Sequence, residues 1–133
     1  MTLEPGASAT FEHVVQREDL ATRWKNDVEV LSTPILLWLA ELACMAALGE
    51  RVQPPWMTVG AAHQVQHLAP TPEGFRLSIE ARLAEVDGRK LVFDIAASDG
   101  VEPILSGRHE RFLVDGERFR AKVAEKKARG SPR

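Results

Sequence analysis

From Pro34 to Leu48 every side chain is apolar except that of Glu41. Thr33 supplies a natural N-cap, Pro34 suits the first helical position, where its missing N–H is not needed, and Gly49 is a ready C-terminal stop. The run Ser32 to Gly49 therefore predicts one helix. A helix apolar on all sides has no solvent face, so the rest of the protein must wrap most of it. It is short for a membrane span and carries a carboxylate within its length. The chain is thus constrained to surround a central helix, with Glu41 pointing into whatever surrounds it. A buried carboxylate needs a raised pKa or a dedicated partner, which makes Glu41 the first candidate for chemistry.

The rest of the chain reads mainly as strands. Thr10, Phe11, Val14 and Val15 suggest a first strand over Ala9 to Gln16, followed by a short helical turn near Asp19 to Trp24. The approach segment Arg17 to Val30 is either a plain connector or a lid that contacts substrate. Two prolines close the loop Arg51 to Pro55, and an extended segment runs from Trp56 to Ala69. Strict alternation puts Val59, Ala61, His63, Val65 and His67 on its helix-facing side, with room beside Gly60, Ala61 and Ala62 for a backbone or a ligand. Phe75, Leu77, Ile79, Ala81 and Leu83 alternate with polar residues, Asp87-Gly88 signals a hairpin, and Leu91, Phe93, Ile95 and Ala97 line the next strand. A second turn at Asp99-Gly100 leads to Val101 to Val114, with a bulge expected at Gly107 and an unpaired start at Pro103. Glu117 to Lys127 reads as a charged helix docked by Phe119 and Val123. The expected class is α+β, an antiparallel sheet of about five strands curled over the Ser32 to Gly49 helix. It forms one domain over residues 1–133, with a core from about 9 to 125 and a frayed tail from about 126 to 133.

A chain of 133 residues is small for an enclosed active site, a difficulty that an oligomer with sites between subunits would remove. The formal charge of -2, with both signs interspersed, provides no footprint for nucleic acid or a membrane surface, and neither is expected as a partner. The single cysteine, Cys44, excludes an internal disulfide, matches no zinc spacing and reads as a small core hydrophobe. No metal site or glycine-rich phosphate loop stands out. The N-terminus lacks a basic region followed by an apolar run, so the expectation is a soluble cytoplasmic protein without a signal peptide.

The candidate residues each have two readings. Thr33 is a cap, or a hydroxyl placed where the helix N-terminus favours a developing oxyanion. Glu41 is paired structurally, for instance with Arg111, or acts as nucleophile or general base. His67 is a packed residue or a proton carrier, with His63 its competitor on the same face.

A long helix wrapped by an antiparallel sheet is the hotdog arrangement. The stretches Thr33 to Ala47, Thr58-Val59-Gly60 continuing to His67, Ala69-Pro70-Thr71-Pro72, Glu85-Val86-Asp87-Gly88-Arg89 and Gly107-Arg108-His109-Glu110-Arg111 resemble the fluoroacetyl-CoA thioesterase-like family of hotdog proteins. The match covers roughly residues 28 to 125, and the spacings Thr33 to Glu41, Gly60 to His67 and His67 to Arg111 fit without gaps. The resemblance implies a homodimer, with pairing of dimers into tetramers left open, and active sites at the subunit interface. It implies that Thr33, Glu41 and His67 act together on an acyl-CoA thioester, with Gly60 near the substrate carbonyl and Arg111 beside the site. Coenzyme A enters as part of the substrate, and no separate cofactor is implied. Arg89, Lys90, Arg108 and Lys122 are either contacts for its phosphates or solvated surface charge. The pattern departs at the lid, where the fluoroacetyl-selective member has a phenylalanine and this chain has none between Phe11 and Phe75. The implied activity is hydrolysis of a small or medium acyl-CoA, with a non-catalytic acyl-ligand binding protein as the alternative.

Overall fold

The computed structural model describes residues 2–130. Helix α1 spans Thr33–Leu48 and is capped by Ser32, whose hydroxyl accepts from the Ile35 N–H at 3.4 Å. The cap expected at Thr33 therefore lies one residue earlier. Both hydroxyls can cap, but Ser32 is the one held extended, through its N–H bond to the Asp19 carbonyl. Thr33 becomes the first helical residue, and its hydroxyl is released from capping. Gly49 ends the helix with φ 49° and donates its N–H to the Met45 carbonyl.

The row Leu36, Leu39, Ala40, Ala43, Cys44, Ala47 and Leu48 is buried against the sheet. Its spacing is that of one helix face, and each large side chain in it contributes about 2 kcal/mol of apolar burial. The opposite face is open: Pro34, Trp38, Met45 and Ala46 are exposed. The expectation that this helix is wrapped on most sides is thus not met within one chain, because a single sheet can cover only one face of a cylinder. Thr33–Arg51 is apolar and long enough by composition to cross a membrane. The packed row marks it instead as the core helix of this sheet.

The sheet comprises β1 (Ser8–Val14), β2 (Trp56–His67), β3 (Arg76–Asp87), β4 (Lys90–Ser98) and β5 (Pro103–Asp115). All pairs are antiparallel, in the order β1-β3-β4-β5-β2, so β2 lies at an edge. Leu77, Ile79, Ala81 and Leu83 of β3, and Leu91, Phe93, Ile95 and Ala97 of β4, are buried as their alternation predicts.

The short helical turn expected near Asp19 to Trp24 is present as the 3-10 helix Ala21–Trp24, preceded by a second at Arg17–Asp19, where the Asp19 carboxylate accepts from the Gln16 N–H. Three local expectations are corrected. Gly107 is no bulge. It pairs in register with Val65 and Ile95, and a Cβ there would lie 2.6 Å from the Val65 Cα, so the glycine permits close approach of β2. In the β2–β5 ladder the register shift lies in β2, between Gly60 and Ala62; others lie between Leu83 and Glu85 of β3 and at Ala97 and Ser98, where the ladder to β5 skips Ile104. The C-terminal helix α2 (Gly116–Gly130) continues past the expected frayed start near 126, and Val123 on it is exposed rather than docked. Residues 131–133 of the predicted tail lie outside the described residues.

Candidate active site

The β2 bulge decides which side chains meet α1. Cross-strand partners share a face, and Leu113, Arg111, His109, Gly107 and Leu105 of β5 pair with Thr58, Gly60, His63, Val65 and His67 of β2. The extra residue at Ala61 reverses the alternation, so Val59 leaves the face that strict alternation gave it, and Thr58 and Gly60 lie there instead.

At one end of α1, Thr33 Oγ1 lies 2.7 Å from His67 Nδ1. The contact joins the first helical residue to the last residue of β2. Close by in the chain, the buried Thr71 accepts from the Leu31 N–H through its carbonyl and donates its hydroxyl to Asp99. Burial pulls the His67 pKa below that of a free imidazole, against an opposing backbone contact at Ala69, so the ring is neutral at neutral pH and able to accept a proton. A cavity of about 680 Å³ opens over this pair. Trp24, Asn26 and Val30 line it, so the approach segment is a wall of the cavity and not a plain connector.

Further along α1, Glu41 Oε1 accepts from Arg111 Nη1 at 2.8 Å. Arg111 is almost fully buried and spends its other donors on Thr58, with Nε to Oγ1 at 2.9 Å and Nη2 to the carbonyl at 3.1 Å. The dedicated partner expected for Glu41 is therefore Arg111, placed by the sheet in the planar geometry that suits a guanidinium. His109 is fully buried beside it. Burial, aided by the neighbouring His63, pushes the His109 pKa down to about 4. Its neutral ring lies 3.0 Å through Nδ1 from the Ala62 carbonyl, to which it donates, and 3.2 Å through Nε2 from Arg111 Nη1, from which it accepts. His63 stacks on His109 with ring centroids 4.2 Å apart and brings Nε2 to 3.5 Å from Glu41 Oε2.

Gly60 packs against the same carboxylate: a Cβ there would lie 2.7 Å from Glu41 Oε1. Gly60→Ala is expected to push Oε1 off Arg111 and lower kcat on a turned-over thioester by about tenfold, with only a small change in melting temperature. Steady-state kinetics beside a thermal melt check this.

Among the described residues, the donor atoms of Glu41, His63 and His109 lie close enough to hold a metal ion. The Arg111 guanidinium already supplies the positive charge there, bonded to two of the three, so the cluster is built as an ion-pair network. Cys44 is buried, and burial pushes its thiol up to about 12, in keeping with a core hydrophobe. Arg108 bridges Asp94 and Glu85, Lys90 faces Glu110, and Arg89 lies over the Trp56 ring, all surface pairings.

The predicted residues thus fall into two groups. Thr33 and His67 touch, and Glu41, Gly60 and Arg111 touch. Eight residues of helix separate Thr33 from Glu41, a rise of about 12 Å, and among the described residues no hydrogen bond joins the groups. Thr58 and His109 complete the second group, and sequence reasoning assigned neither a role, although His109 lies two residues from Arg111 on one strand.

The chain matches the family model described as fluoroacetyl-CoA-specific thioesterase over residues 15–117. It is similar to the fluoroacetyl-CoA thioesterase of Streptantibioticus cattleyicolor, 39% identical over 102 residues that make up 77% of this chain and 73% of that protein. A solved structure of a fluoroacetyl-CoA thioesterase superposes with a TM-score of 0.88 at 32% identity, covering 95% of this chain and 98% of the other. A thioesterase superfamily member from Thermus thermophilus superposes with a TM-score of 0.89 at 22% identity, covering 98% and 97%, a likeness of fold.

Proposed function

The chain belongs to the fluoroacetyl-CoA-specific thioesterase family, and on that footing we propose that it hydrolyses an acyl-CoA thioester to coenzyme A and a carboxylic acid. The observation that carries the chemistry is the 2.7 Å contact between Thr33 Oγ1 and the neutral His67 Nδ1 at the mouth of the 680 Å³ cavity. His67 takes a proton from the Thr33 hydroxyl or from water and returns it to the departing thiolate. The α1 N-terminus lies where negative charge on the thioester oxygen is stabilised. Glu41, held by Arg111 through one oxygen, keeps the other for attack on the carbonyl carbon or for deprotonating water. Water adds to the carbonyl carbon overall, the C–S bond breaks, and the sulfur leaves with a proton.

The working form is a homodimer with its sites between subunits. Three features support this: the 12 Å or so of helix between Thr33 and Glu41, the open apolar face of α1, and the free edge of β2. Antiparallel pairing of two β2 edges would bring the His67 end of one strand toward the Gly60 end of the other. The acyl group is small or medium, and Trp24 is the aromatic side chain that the approach segment offers to it.

The test is thiol release from acyl-CoA thioesters ranging from acetyl and fluoroacetyl to long-chain and aromatic. Release with a preference for short or medium chains is expected. Ligand-induced thermal stabilisation without release from any member would make the protein an acyl-CoA binder instead.

A further inference from the structure

The two oxygens of Glu41 have unlike surroundings. Oε1 is taken by Arg111, which the sheet holds rigidly through Thr58. Oε2 has one near neighbour of opposite polarity, His63 Nε2 at 3.5 Å. That ring is itself held. It stacks on His109 at 4.2 Å with 24° between the planes, and His109 is anchored by the Ala62 carbonyl and Arg111. The bulge between Gly60 and Ala62 puts Gly60 and His63, three positions apart, on one face of β2. His63 Nδ1 is buried and has no hydrogen-bond partner among the described residues. A buried lone pair without a donor is tolerated better than a buried N–H without an acceptor, which favours the tautomer with its N–H on Nε2, facing Oε2.

We propose that His63 is a positioning residue for Glu41, aiming through its Nε2–H the carboxylate oxygen that Arg111 leaves free. The inference rests on Glu41 acting on the thioester. Arg111 and His63 grip the carboxylate from two sides and fix its plane. The second lone pair of Oε2 then stays directed at the water or carbonyl carbon. Without His63, Glu41 turns about its one remaining anchor, and fewer molecules hold the reactive geometry at any moment. Such a loss falls on kcat and not on binding of the coenzyme A portion.

Two variants and one spectrum test this. His63→Leu removes the donor, whereas His63→Gln offers an amide N–H in much the same place. The expectation is a kcat for His63→Leu about tenfold below wild type with KM within about twofold, and a His63→Gln kcat within about threefold of wild type. Independently of turnover, NMR of the folded protein should show an exchange-protected imidazole N–H of His63 that disappears in Glu41→Leu. Unchanged kcat in His63→Leu, or equal losses in both variants, would overturn the positioning role. An active wild type whose His63 N–H ignores Glu41→Leu would overturn the contact itself. An inactive wild type that keeps the Glu41-dependent N–H would instead overturn the thioesterase reading and leave the contact standing.

Discussion

Glu41→Gln is expected to lower kcat for acyl-CoA hydrolysis by about 10²- to 10⁴-fold while KM stays within about threefold. Glutamine keeps the shape of the side chain, and its carbonyl oxygen still accepts from Arg111 Nη1, so α1 and the sheet keep their packing. What is lost is the anion. An amide oxygen is too weak a base to deprotonate water and too weak a nucleophile to attack a thioester, whichever of the two roles Glu41 plays. Arg111 loses its counter-charge but keeps three further bonds, to the Thr58 hydroxyl, the Thr58 carbonyl and His109. The Glu41 side chain is about a third exposed, which screens the pair. The melting temperature should therefore fall by only a few degrees. Thiol release and a thermal melt on the same preparation check both halves. Activity within about threefold of wild type would remove Glu41 from the mechanism.

Mixed dimers provide the second large effect. Thr33→Ala and Glu41→Gln proteins, each nearly inactive alone, are expected to recover about a quarter of wild-type activity after co-refolding in equal amounts. In a mixed dimer one site draws Thr33 and His67 from the Glu41→Gln chain and the glutamate from the Thr33→Ala chain, so it is intact. Its other site carries both lesions. Half of randomly paired dimers are mixed, and half of their sites work. The physical reason is the helix itself: Thr33 and Glu41 are about 12 Å apart along α1, and Arg111 draws Glu41 toward β5. A carboxylate so held does not reach its own chain's Thr33 and His67. Differently tagged chains, co-refolded and purified through both tags, allow thiol release to be measured on mixed dimers alone. No recovery in that fraction would show that each chain builds its own site.

The sequence by itself determined the elements whose physics is local. Period-two alternation in Leu77 to Leu83 and in Leu91 to Ala97 survives into two buried strand faces, because each inward side chain is apolar, with polar neighbours throughout the first run and Val92, Asp94 and Ala96 between them in the second. The apolar run ending at Gly49 specifies α1, and the resemblance of short stretches to a known family picks out Thr33, Glu41, His67, Gly60 and Arg111. His109 and Arg111, two residues apart, share a face because nothing interrupts β5 between them.

Only the tertiary structure decided how those residues are grouped. A bulge in Gly60-Ala61-Ala62 leaves no mark on a pattern of small side chains, yet it moves Thr58 and Gly60 onto the helix face and Val59 off it. Ser32 and Thr33 are equivalent as caps until the bond to Asp19 chooses between them, and that choice frees the hydroxyl that meets His67. Composition demanded cover for every side of α1, but cover is a property of neighbours in space. One sheet buries one side, and the side left open carries exposed Trp38 and Met45.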